Sequence, residues 1–95
     1  MNAPIPIVIA DDHPLFRAGL RAVVAGDPAF TVVGEAGDGE EALRLITERG
    51  PRVAILDMDM PRGNGLSVVR SARTFGESIA LRSLFPARKA VKHML

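Results

Sequence analysis

A chain of 95 residues has the length of one small domain, and a domain of that size buries only about 60–70% of the surface its unfolded chain exposes. Twelve basic and 11 acidic residues leave a net charge of +1, too balanced for nucleic-acid binding by bulk electrostatics. The absence of cysteine excludes disulfide staples, thiolate zinc sites and cysteine nucleophiles. No run approaches the roughly 18 apolar residues of a membrane span, and "MNAPIPIVIADDHP" lacks the basic start of a secretion signal. The expectation is a soluble cytoplasmic domain with no membrane partner and no direct nucleic-acid binding.

In chain order, Ile5 to Ala10 is a short β-branched run ended by Asp11 and Asp12, which reads as a buried strand. Pro14 suits the first turn of a helix, and Phe16, Leu20, Val23 and Val24 then follow an amphipathic stripe until Gly26-Asp27-Pro28. Phe30 to Ala36 is a second strand. Asp38 occupies an N-cap position with Glu41 three residues on, which reads as a cap rather than a site. Ala42, Leu45, Ile46 and Arg49 share a helical face, stopped by Gly50-Pro51. Val53 to Leu56 is the third strand, and Gly65 to about Arg73 the third helix, with Leu66 and Val69 expected inward. Gly63 and Gly65 lack the spacing of a phosphate cradle and read as turn residues.

Alternating strands and helices predict a parallel sheet with helices on both faces. After Arg73 the pattern fails. Ile79 to Phe85 is ambiguous between helix and a poor strand, and Ala87, Ala90, Val91, Met94 and Leu95 form a helical stripe. The segment is basic: after Asp59 the only acid is Glu77, against seven Lys or Arg. A solvated helix face explains that better than nucleic-acid contact.

Ligands of open parallel sheets bind beyond the carboxyl ends of the strands. Asp11 and Asp12 end strand one and Asp57 ends strand three, so neighbouring strands would bring three carboxylates together. Two carboxylates about 4 Å apart repel by roughly 4 kcal/mol at an effective dielectric near 20. A hard divalent cation such as Mg²⁺ offsets this and lets an anionic phosphoryl donor approach. A carboxylate can then act as nucleophile and form an aspartyl phosphate. Asp57, at the end of the central run, is best placed, and the main-chain oxygen of Asp59 is available to the metal. His13, beside the acids, reads as a loop residue rather than a ligand.

"IADDHPLFRAGL", "GEAGDGEEAL" and "ILDMDMPRGNGLSVVR" resemble, in order, the receiver domain of two-component response regulators, most closely the subgroup with a helix-turn-helix output domain (LuxR/NarL-like). The resemblance runs from Ile5 to about Arg70. It implies a flavodoxin-like sheet of strand order 2-1-3, phosphorylation at Asp57, and Mg²⁺ held by Asp11, Asp12 and Asp57 with the main-chain oxygen of Asp59. Pro61 and Gly65 shape the loop after the acceptor. The implied partner is a sensor histidine kinase or a small phosphodonor; the chain is not an enzyme in the ordinary sense.

The family also carries a serine or threonine ending a fourth strand and a lysine ending a fifth, both touching the phosphoryl group. Neither strand is recognisable here. Ser83 has about the right spacing for the hydroxyl, but "ALRSLFP" does not resemble that strand; Phe85-Pro86 would stand at Lys-Pro only if a strand and a helix were deleted, and Lys89 and Lys92 fall on a predicted helix. The expected organisation is a receiver-like core over 1–73, an atypical and mainly helical segment over 74–95, and no output domain. Switching is expected to be impaired. Strand three would then be an apolar edge, which motivates a homodimer. The alternative is a non-signalling interaction or dimerisation module derived from a receiver.

Overall fold

The computed structural model describes residues 3–57, 59–74 and 80–82. Its elements are β1 (Ile5–Ala10), α1 (Pro14–Ala25), β2 (Phe30–Ala36), α2 (Gly39–Arg49), β3 (Val53–Leu56), α3 (Gly65–Thr74) and β4 (Ala80–Arg82). The strands form one sheet in the order β2-β1-β3-β4, and every neighbouring pair is parallel. The sheet has the flavodoxin-like order 2-1-3 expected from the sequence, extended by a fourth strand.

Each helix begins and ends where its local chemistry dictates. Pro14 opens α1, whose cap is His13: its Nδ1 accepts the Phe16 N–H at 3.2 Å. Asp38 caps α2 by accepting the Glu41 N–H at 2.8 Å. Gly50 closes α2 in the left-handed conformation (φ 56°), which glycine adopts without steric cost. Asn64 caps α3 through Ser67 N–H at 2.9 Å.

The period-two alternation of the strands divides the core. Val8, Ala10, Ala54 and Leu56 point to one face, where they meet Ala42, Leu45 and Ile46 of α2 and Val68 of α3. Ile7 and Ile9 point to the other, against Val24 and Leu20 of α1. Val8, Ile9 and Ile46 are wholly buried, each contributing about 1.5–3 kcal/mol by removal from water. On β2 an extra residue, Val33, lies between the partners of Ile7 and Val8.

Three expectations are corrected. A fourth strand is present: Ala80, Leu81 and Arg82 pair with Val53, Ala54 and Ile55. Three residues without a β-branched side chain are too short to show a period. Their conformation follows from the hydrogen-bonding row of β3, which the sequence does not display locally. Accordingly β3 is an inner strand and not an edge, and residues 80–82 are strand rather than helix. Val23 is 76% exposed and so is off the inner stripe, which runs through Leu20 and Val24. The helix phase separates Val23 from Val24 by about 100°. On the third helix the buried apolar side chain described is Val68; the side chains of Leu66 and Val69 lie outside the described set. Ser83, Lys89, Lys92 and the stripe Ala87–Leu95 also lie outside the described residues.

Candidate functional site

The pairing of Ala10 with Leu56 ends β1 and β3 side by side, so the next residues of each, Asp11 and Asp57, are neighbours. Backbone bonds carry the register past the strand ends: Asp57 N donates to Ala10 O at 2.9 Å, and Asp11 N to Ala36 O at 3.0 Å. Asp11, Asp12 and Asp57 each offer a carboxylate oxygen, and these atoms lie within 4.8 Å of one another. Asp11 is 2% exposed and Asp57 1%; Asp12 is half-buried. The structure therefore brings together the three carboxylates that the sequence placed at strand ends. The carboxylate of Asp59 is not in this group. Its backbone faces the acceptor instead, Asp59 N donating to Asp57 Oδ1 at 2.9 Å.

Two anchors hold the first acid in place. Asp11 Oδ1 accepts the His13 N–H at 2.8 Å. Arg17, one turn into α1, donates from Nη1 to Asp11 O at 2.6 Å and Ala36 O at 3.4 Å, joining the ends of β1 and β2. Glu35 orients this guanidinium (3.5 Å) and also pairs with Arg21 at 2.9 Å.

The loop after Asp57 is tied down along its length. Met60 turns into the core at 7% exposure. Pro61 O accepts the Gly39 N–H at 3.1 Å. Arg62 reaches Asp38 Oδ2 from Nε (3.1 Å) and Nη2 (2.6 Å). The Asp38 carboxyl is held below its usual range, first by the Glu41 N–H and then by Arg62, and the same pair raises Arg62 above the ordinary arginine value. Reading the sequence missed the His13 cap, the Asn64 cap, Arg17 and the Arg62 contact. An Asn just before a helix is a recognised start signal; the arginine contacts span 19 and 24 positions and leave no local trace.

Chemically, three clustered acids supply only hard oxygen donors, a set that suits Mg²⁺ or another hard divalent cation and not a soft metal. Burial of two of them makes their mutual repulsion costly without a cation. The donor set and the need for charge compensation thus both fit a magnesium-type ion.

Comparison with known proteins agrees with this geometry. The response regulator receiver domain model matches residues 7–84, which takes in β4. The transcriptional regulatory protein DegU of Brevibacillus brevis is 44% identical over 66 residues, 70% of this chain and 28% of DegU. The nitrate/nitrite response regulator protein NarL of Escherichia coli strain K12 is 39% identical over 70 residues, 74% of this chain and 32% of NarL. A crystal structure of a LuxR-family two-component response regulator from Aurantimonas sp. SI85-9A1 superposes with a TM-score of 0.79 at 31% identity, covering 84% of this chain and 57% of that one. The chain belongs to the response regulator receiver domain family. It spans about a third or less of the two curated relatives' lengths.

Proposed function

We propose that this chain is a phospho-acceptor module of a two-component phosphorelay, with Asp57 taking the phosphoryl group. The observation that carries the reading is the convergence of Asp11, Asp12 and Asp57 within 4.8 Å at the ends of β1 and β3, with Asp57 almost fully buried. Asp57 attacks phosphorus through a carboxylate oxygen as the bond to the donor breaks, the donor being a sensor histidine kinase or a small phosphodonor. The Asp59 N–H fixes the rotamer of the nucleophile by holding Oδ1. Asp11, Asp12 and Asp57, with the main-chain oxygen of Asp59, would hold Mg²⁺. Bound there, the ion supplies charge neutralisation for an anionic donor at an anionic site. No helix among the described residues is long and apolar enough to cross a membrane, and the reading places the module in the cytoplasm, where such kinases deliver phosphate.

The reading includes weak coupling between phosphorylation and shape. A ligand shifts a two-state equilibrium only by its differential affinity for the two states. Ser83 follows β4 in the chain at about the spacing of the family's switch hydroxyl, but in a sequence, "ALRSLFP", that does not resemble the family's fourth strand. Phe85-Pro86 would stand at the Lys-Pro position only with a strand and a helix deleted, so no second switch residue is identifiable in the sequence given. One series of amide spectra tests both parts. Mg²⁺ is expected to shift the amides around Asp11, Asp12 and Asp57 in the wild type and not in Asp12→Ala. Adding beryllofluoride is expected to shift only the pocket. An equal Mg²⁺ response in the variant would remove the metal site, and large shifts beyond Arg73 would remove the weak coupling.

Self-association is the remaining part. With β3 covered, its motive moves to α1, where Leu15 and Val23 are 77% and 76% exposed on the outer face. A homodimer is the expected state by light scattering coupled to gel filtration. A monomer mass that persists at high protein concentration would contradict it.

A further inference from the structure

Among the described residues, Arg62 is the one non-glycine with a left-handed backbone, φ 51°. An L-residue holds that conformation at a cost, and it persists only where the surroundings over-determine it. Here they do. The Arg62 guanidinium places two N–H groups on one oxygen of Asp38, 24 residues earlier in the chain. The other Asp38 oxygen is occupied by capping α2. Asp38 is the better buried partner, its side chain 17% exposed against 60% for Arg62, so the acid is anchored at the start of α2 and the arginine reaches across to it. The neighbouring Gly39 N–H to Pro61 O bond ties the same two segments. Three residues upstream of Arg62, Asp59 N–H holds the acceptor carboxylate.

We propose that the Asp38–Arg62 pair is a latch that positions the acceptor loop. It keeps Arg62 in its left-handed turn, and through it keeps the Asp59 N–H on the Asp57 carboxylate and the loop in its cation-binding form. Both act through the loop and are positioning residues. The inference rests on the reading of Asp57 as phospho-acceptor and adds a role for α2 in setting its reactivity.

The test is the rate of phosphoryl gain from acetyl phosphate at sub-saturating Mg²⁺, followed by intact mass. It compares the wild type, Asp38→Ser, Arg62→Ala, their double variant and Arg62→Lys. Serine retains the helix cap but is too short to reach the arginine. Asp38→Ser and Arg62→Ala are each expected to slow the reaction by ~2- to 5-fold, the range an exposed ion pair can carry, and to raise the Mg²⁺ concentration for half-maximal rate. The double variant should be no slower than either single, and Arg62→Lys should recover part of the rate. Urea midpoints by circular dichroism, run alongside, correct each rate for the folded fraction. Corrected rates equal to the wild type, or losses that add in the double variant, would overturn the latch while the wild-type reaction upholds the acceptor reading. A wild type that takes no phosphate would overturn both.

Discussion

Asp57→Asn should make the metal-free chain more stable, by about 1–3 kcal/mol, and at the same time remove its response to Mg²⁺. Asp57 is 1% exposed and shares a 4.8 Å cluster with two other acids. Each close pair is worth about 4 kcal/mol of repulsion at 4 Å and an effective dielectric of about 20, reduced here because Asp12 is half-buried and reaches water. Asparagine keeps the shape and an oxygen for the Asp59 N–H while removing one buried charge. In the wild type, Mg²⁺ at 100 times its dissociation constant should add about 2.7 kcal/mol. The order of stabilities therefore narrows or reverses between chelator and saturating Mg²⁺. Urea midpoints by circular dichroism in the two conditions check this. A variant less stable than the wild type in chelator would show that the carboxylates do not oppose one another.

Gly39→Ala should cost about 2–4 kcal/mol, the size of a backbone overlap that cannot be relieved by a side-chain rotation. A Cβ at Gly39 would stand 1.9 Å from Gly63 O and 2.6 Å from Arg62 O. All of these are main-chain atoms, so either α2 or the acceptor loop must move. The expected damage includes the Gly39–Pro61 bond and the Asp38–Arg62 pair beside it. Gly19→Ala is the control: α1 leaves nothing within 4 Å of that Cβ, so the substitution should stabilise by about 0.5–1 kcal/mol, as Gly to Ala does inside a helix. Matching urea midpoints for the two variants would mean that the close approach of α2 to the loop is not held in solution.

The two substitutions bracket what could be read from the sequence. The three acids were legible because their information is local: an apolar run that ends on a carboxylate marks a strand end, and sheet order then decides which ends meet. The Asp38 cap was legible for the same reason. Gly39 was not, since nothing in "GDGEEAL" says that another backbone passes within contact distance. Arg17 and Arg62 act on groups far away in the chain, and an arginine on a helix or in a turn looks the same whether it is solvated or clasped. β4 was hidden by its brevity, and it is strand because β3 needs a partner. Val23 was misplaced by a single step of helix phase, the difference between a stripe drawn by spacing and one set by contact with Ile7 and Ile9.

Everything proposed for this chain depends on Asp57 accepting a phosphoryl group with the help of a divalent cation. Incubation with acetyl phosphate and Mg²⁺, followed by intact mass, tests it most directly. A mass gain of one phosphoryl group is expected in the wild type, lost on adding a chelator and absent from Asp57→Asn. No gain in the wild type, or a gain that survives in Asp57→Asn, would contradict it and favour an interaction module that retains the acidic pocket without its chemistry.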